Sequence, residues 1–160
     1  MVTLISHDAG QTEAIGGEWG HAAARGWVIG LSGDLGAGKT QLAKGIAKGL
    51  AISDPVHSPT FSLINIYTGG RLTLFHLDLY RLENPAQIVA AGLEEYLNPD
   101  GVTVIEWAEQ WFGQFERAIE SSFLHPSKSN PWSGTNFFRW ARIDHLTEIE
   151  RRISYEDFGA

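Results

Sequence analysis

Side chains with the type and spacing to handle a polyphosphate fall at three places in this sequence. The first is Gly33-Asp34-Leu35-Gly36-Ala37-Gly38-Lys39-Thr40, which fits the pattern G-x-x-x-x-G-K-[ST]. In such a loop the glycines let backbone N–H groups curl around a β-phosphate. A lysine reaches the β- and γ-phosphates, and the last hydroxyl holds Mg²⁺. The spacing gives those two tasks to Lys39 and Thr40. The second place holds two carboxylates, each closing an apolar run: Asp78 after Phe75-His76-Leu77 and Glu106 after Val102-Thr103-Val104-Ile105. An acid at the C-terminal end of a buried strand beside the loop often supplies the metal contact, directly or through water; Glu106 sits in that place, and is otherwise an ordinary strand-end acid facing solvent. Asp78 has two roles open to it, positioning the attacking water or contacting Mg²⁺. The third place is the surroundings of these groups. Thr60, in Ser58-Pro59-Thr60, is either a switch residue sensing the γ-phosphate or a structural threonine. Trp107 packs near the nucleotide or in the core. His76 shares a strand face with Asp78, so it orients that carboxylate or serves as a core histidine.

These residues need strands and helices to bring them together. Trp27-Val28-Ile29-Gly30-Leu31-Ser32 reads as the strand entering the loop, and Leu42, Ile46 and Leu50 recur at helical spacing after it. Strand, glycine turn and helix are the context in which the motif works, because the new helix turns its positive end toward the same anion. Before it, Val2 to Ser6 reads as a short strand. Asp8 then caps a helix from about Gln11 to Ala24, with Ile15, Trp19, Ala22 and Ala23 on its apolar side. Gly10, Gly16, Gly17 and Gly20 make that helix poor in isolation, so tertiary packing has to hold it.

After the loop helix and a proline-marked connection, Thr60–Tyr67 and Arg71–Asp78 meet across Thr68-Gly69-Gly70 as a hairpin. Pro85 opens a further helix, capped by Asn84, with Ile88, Val89 and Leu93 facing the core and Gly92 breaking it. Val102–Ile105 is a short buried strand, followed by a helix from roughly Ala108 to Glu120. Ser121 to Asn136 is rich in Ser, Pro and Asn and reads as an exposed loop or insertion. From Arg139 to Tyr155 the pattern fits helix or strand, with Glu148–Tyr155 favouring strand. An antiparallel hairpin directly after the first βα unit predicts a mixed sheet. The expected fold is one α/β domain over residues 1–160, three-layered and P-loop NTPase-like, with an irregular insertion at 121–139.

Composition narrows the function. The 160 residues carry 12 basic and 19 acidic side chains, a formal net charge of −7. A protein that grips nucleic acid unaided draws its affinity from a basic surface, so any work on RNA is expected to pass through a partner. With no cysteine, disulfides and thiolate chemistry are excluded. No apolar run approaches the ~20 residues of a membrane span, and Met1–Asp8 lacks the marks of a secretory signal. A cytoplasmic location is therefore expected. The N-K-x-D of guanine-specific GTPases does not occur, and the longest arginine-rich stretch is Arg151-Arg152 near the C-terminus rather than a kinase lid. ATP hydrolysis is favoured over both. A small-molecule or nucleoside kinase and a nucleotide-gated binding module with negligible turnover remain the alternatives.

Gly33–Thr40, Ser58-Pro-Thr-Phe61, His76-Leu-Asp-Leu-Tyr-Arg81 and Ile105-Glu-Trp107 follow one another in an order and spacing that resemble the TsaE (YjeE) family of bacterial ATPases. The resemblance covers about Val2 to Glu109. It implies a role in making threonylcarbamoyladenosine (t6A) in tRNA, with ATP hydrolysis acting on an assembly of TsaB and TsaD. It also implies ATP/ADP and Mg²⁺ as cofactors, with tRNA met only through the complex. Carried over by motif, Gly33, Asp34, Leu35, Gly36, Ala37, Gly38, Lys39 and Thr40 form the nucleotide loop. Lys39 holds phosphate, Thr40 and Glu106 hold Mg²⁺, and Asp78 serves in hydrolysis. Thr60 becomes the switch threonine, and Trp107 lies close to the nucleotide. The likeness fades after Trp111, and Ser121–Arg139 looks inserted. Ile153–Gly159 resembles a late strand that the family commonly continues through Gly-Arg into a final strand, where Ala160 stands here.

Overall fold

The apolar run Trp27–Ser32 becomes β2, the strand that enters the P-loop, and it lies in the middle of the molecule. Around it the computed structural model describes residues 1–114 and 135–159. The other strands are β1 (Val2–Ser6), β3 (Ile64–Tyr67), β4 (Leu74–Asp78), β5 (Val102–Glu106), β6 (Phe137–His145) and β7 (Arg151–Gly159). They join in one sheet in the order β1-β7-β6-β2-β5-β4-β3. β2 runs parallel to β5 and β6, and β4 runs parallel to β5. The β3–β4, β6–β7 and β1–β7 pairs are antiparallel. β5 is buried along its whole length, as a parallel strand covered on both faces should be.

Helices α1 (Ala9–Ala22) and α2 (Lys39–Gly49) cover one face, where Trp19, Leu42, Ile46 and Leu50 meet Ile29, Leu31 and Val104 of the sheet. Helices α3 (Pro85–Ala90) and α4 (Glu109–Phe112) cover the other, with Ile88, Trp111 and Phe112 against Leu77, Phe138 and Trp140. The fold is α/β and three-layered with a mixed sheet, of the P-loop NTPase kind.

Helix α1 shows why a glycine-rich segment is helical. Asp8 accepts from the Gln11 backbone N–H at 2.8 Å as its N-cap. Gly16 and Gly20 sit against Gly45 and Gly49 of α2. A Cβ on Gly20 would lie 2.1 Å from the Ile46 carbonyl oxygen, and one on Gly45 would lie 2.0 Å from that of Glu13. The glycines weaken the helix locally and are what allows the two backbones to touch. Ala22 is exposed, so the apolar side is narrower than expected.

Elsewhere the strands of the first hairpin are shorter than expected. Pairing begins at Ile64, because Leu63 adopts φ +66° and its N–H turns back to Pro59 O. Asn84 caps α3 by accepting from the Gln87 N–H, and Gly92, at φ +76°, separates it from a 3₁₀ turn at Leu93–Leu97. Val89 is exposed rather than facing the core. The helix expected over Ala108–Glu120 closes at Phe112, where Gly113 takes φ +81°; residues 115–120 lie outside the described residues. So do residues 121–134 of the expected insertion. Its last three, Phe137, Phe138 and Arg139, are strand: Phe138 packs in the core, and buried Arg139 pairs with Asp157 at 2.7 Å beneath Trp19 and Tyr155. Arg139–Tyr155 resolves into the β6–β7 hairpin.

A P-loop cleft as the candidate nucleotide site

Because β2, β4 and β5 are parallel neighbours, their C-terminal ends open on the same edge of the sheet, which is where α/β folds place their ligands. β2 leads into Gly33–Thr40, β4 ends at Asp78, and β5 ends at Glu106. After β5 the chain turns sharply. Trp107 takes φ +58°, a region costly for a bulky residue, and the Ala108 N–H bonds back to Leu31 O at 3.0 Å. This turn lays the indole over the P-loop lysine. The result is a cleft of about 270 Å³ whose lining includes Lys39, Thr40, Thr60, Asp78, Glu106 and Trp107.

The carboxylates are held by donors. Thr40 Oγ1 donates to Glu106 Oε2 at 3.0 Å, and His76 Nε2 lies 2.9 Å from Glu106 Oε1. A carboxylate accepts, so Nε2 of His76 carries the hydrogen. His76 therefore orients Glu106, not Asp78. Asp78 Oδ2 accepts from Ser58 Oγ at 2.9 Å and Thr60 Oγ1 at 3.0 Å, while its Oδ1 accepts from the Tyr80 N–H at 2.9 Å. Both carboxylates are buried, at 2% exposure, and each side chain is fixed by more than one bond.

Lys39 Nζ donates to Gly33 O at 2.6 Å and Asp34 O at 2.8 Å, and sits 3.8 Å from the centroid of the Trp107 ring. Burial lowers the pKa of its ammonium, against the pull of Glu109, Glu106, Asp78 and Asp34. Gly36 and Gly38 border the cleft at φ +77° and +112°, and Leu35 points to solvent at its mouth. Gly33 cannot carry a side chain, because a Cβ would meet Ile143 O at 2.4 Å. Ala37 turns its methyl into the core, so only its backbone faces the loop.

Four residues at or beside the site carry no role in the sequence reading. Ser58 and Tyr80 bind Asp78; their signal was present, since both stand in the motifs that contain Thr60 and Asp78. Glu109 and Arg151 lie on the rear of the loop. Burial pushes the Glu109 carboxyl above the usual carboxylate range, opposed by backbone N–H groups including that of Gly33 and by Lys39; its Oε2 is buried without a hydrogen-bond partner among the described residues. The residues present fit Mg²⁺. Thr40 and Glu106 offer two hard oxygens in contact with each other at the mouth of a phosphate loop, the sparse protein share that this cation takes.

A family profile described as "Threonylcarbamoyl adenosine biosynthesis protein TsaE" matches residues 6–130. The "tRNA threonylcarbamoyladenosine biosynthesis protein TsaE" of Nostoc sp. (strain PCC 7120) is 46% identical over 114 residues, 69% of this chain and 70% of that protein. The protein of the same description from Bacillus subtilis (strain 168) is 46% identical over 98 residues, 61% of each chain. Among solved structures, that titled "Crystal structure of Bacillus subtilus YdiB" superposes with a TM-score of 0.69 at 30% identity, covering 96% of this chain and 83% of that one. With the family profile matched across most of its length, this chain belongs to the TsaE family of threonylcarbamoyladenosine biosynthesis proteins.

Proposed function

We propose that this protein is a Mg²⁺-dependent ATPase that supports t6A modification of tRNA in the cytoplasm by acting on a TsaB–TsaD assembly. The observation that carries the proposal is the pair of anchored carboxylates in the Lys39 cleft: Glu106 bonded to the P-loop hydroxyl of Thr40, and Asp78 bonded to Thr60. A loop that only bound Mg²⁺-nucleotide would use Glu106 for the metal but would have no need of Asp78. The P-loop N–H groups and Lys39 hold the phosphates, with Lys39 exchanging its two carbonyl partners for phosphate oxygens. Thr40 and Glu106 would hold Mg²⁺, which when bound would supply positive charge against the phosphates. Asp78 accepts a hydrogen bond from the attacking water and orients it. Thr60, bonded to Asp78 from a segment outside the sheet, couples that carboxylate to whatever moves the segment.

Partner dependence is supported by the rim. Leu35 at the mouth of the cleft is 76% exposed, and Phe61, next to Thr60, is 85% exposed. Large apolar groups exposed beside a site suit contact with another protein.

The test is ATP hydrolysis with and without purified TsaB–TsaD, for wild type, Lys39→Ala and Asp78→Ala. Hydrolysis should rise with the partners and fall by about 10²-fold or more in each variant. ATP bound but not turned over with partners present would sink the ATPase reading and leave the nucleotide-gated module.

A further inference from the structure

Arg151, the first residue of β7, takes no part in the chemistry above, yet its guanidinium lies against the rear of the P-loop. Nε donates to Ala37 O at 2.8 Å and Nη2 to Gly36 O at 3.4 Å. Nη1 donates to the carbonyls of Thr147, Glu148 and Glu150 at 3.1, 3.2 and 3.0 Å, closing the turn between β6 and β7. One side chain thus fastens the tip of the C-terminal hairpin to the nucleotide loop. Arg151 does not line the Lys39 cleft. It borders a separate hollow of about 250 Å³ on the other side of Gly36 and Gly38, with Thr12 and Ile149. The carbonyls it binds therefore point away from the cleft.

That direction matters for an anion site. A loop wraps a phosphate with its N–H groups, so its carbonyls must face outward and find donors of their own. In this loop Gly33 O and Asp34 O accept from Lys39, and Gly38 O accepts from the Leu42 N–H. Gly36 O and Ala37 O accept from Arg151. Gly36, at φ +77°, and Gly38, at φ +112°, have the conformational freedom to turn the peptides between them either way. The guanidinium is the group that selects one way. It also brings a permanent positive charge to the loop.

We infer that Arg151 is a positioning residue that pre-organises the phosphate loop: it holds the Gly36 and Ala37 carbonyls outward, so that with the Ala37 N–H bonded back to Asp34 O at 3.0 Å the Gly38 N–H faces the polyphosphate before it arrives. The inference rests on the reading of the cleft as a nucleotide site. Pre-organisation raises affinity because the ligand no longer has to order the loop.

The experiment is titration calorimetry with ADP on wild type, Arg151→Gln, Arg151→Lys and Arg152→Ala, each paired with its melting temperature. Arg152 is the neighbouring control; it reaches Asp144 at 3.5 Å and does not touch the loop. Arg151→Gln should bind ADP about tenfold or more weakly. Arg151→Lys should fall between, since one ammonium cannot span both the loop and the turn. Arg152→Ala should bind as wild type does even if its melting temperature drops. Wild-type affinity in Arg151→Gln would overturn the inference and leave the nucleotide site standing. If that variant does not fold, Arg151→Lys decides, and wild-type affinity there overturns the inference. Equal loss in Arg152→Ala would reduce the effect to hairpin stability and overturn it as well. Wild type that does not bind ADP would remove the nucleotide reading itself, and this inference with it.

Discussion

Glu106 gives one carboxylate oxygen to Thr40 and the other to His76, so the acid is held from both sides before any cation reaches it. His76 is wholly buried, and its Nδ1 meets no hydrogen-bond partner among the described residues, which fits an imidazole kept for what its other nitrogen does. His76→Leu should raise the Mg²⁺ concentration that half-saturates Mg²⁺-dependent ADP binding by about tenfold, while ADP binding in EDTA stays as in wild type. Equal loss with and without Mg²⁺ would mean His76 serves only packing. Strand-face logic put His76 with Asp78, because residues two apart on one strand are all that a sequence displays. The register sets His76 opposite Val104 and Asp78 opposite Glu106, and that cross-strand geometry is invisible without the sheet. Lys39, Thr40 and Asp78 were legible because the loop pattern and the apolar strand before each carboxylate are local signals. Glu109 was not, since its chemistry comes from burial. With its carboxyl raised by burial, the folded protein binds more protons than the unfolded chain as pH climbs from the ordinary carboxylate range. That contribution is present at low pH and is lost as pH rises through the raised value. Glu109→Gln should therefore gain melting temperature over wild type at neutral pH and show little gain near pH 4. A gain that is the same at both would exclude the titration.

Helix α1 makes the case at the scale of elements. Helix propensity counts each glycine as a loss, and on an exposed face that is correct. At Gly16, Gly20, Gly45 and Gly49 the missing Cβ is what lets α1 lie on α2, and α2 is the helix whose first two residues are Lys39 and Thr40. Gly17, on the same helix, has only Gly45 O at 3.8 Å from where its Cβ would stand. The two substitutions should have opposite signs. Gly17→Ala should stabilise by about 0.5–1 kcal/mol through helix propensity. Gly20→Ala should destabilise by about 1–3 kcal/mol through overpacking, and it should weaken ADP binding because α2 must shift. Chemical denaturation of both variants checks the signs; stabilisation in both would refute the close contact. The four-residue spacing Gly16/Gly20 and Gly45/Gly49 was on view in the sequence. What the sequence lacked was the knowledge that the two pairs face each other. In the C-terminal hairpin the second strand was read in part, as Glu148–Tyr155, but the start of the first was illegible, since Phe137–Arg139 follows a Ser- and Pro-rich stretch and only pairing with β2 and β7 makes it a strand.

For the whole molecule, the sheet order puts the loop, Asp78 and Glu106 on one edge, and no helix among the described residues is long and apolar enough to cross a membrane. Apolar groups rim that edge, while the chain as a whole is acidic, with a net charge of −7. Phosphate neutralisation by lysine and arginine supplies most of the affinity of a protein for RNA, and its signature is steep weakening with salt. A chain with 19 acidic and 12 basic residues is poorly equipped for that, although its family acts in tRNA modification. On the function proposed above, the division of labour would be that the tRNA is gripped elsewhere in the assembly, while this chain contributes nucleotide-driven change through its apolar rim. In a mobility-shift assay near physiological salt, the isolated protein should leave tRNA unshifted at about 10 µM, no tighter than the weaker half of the ordinary non-specific range. With TsaB–TsaD and ATP added, it should enter the shifted complex, and Phe61→Ser should reduce that entry while leaving ADP affinity unchanged. Micromolar, salt-sensitive tRNA binding by the protein alone would place the nucleic-acid contact on this chain, and the argument from charge would fail.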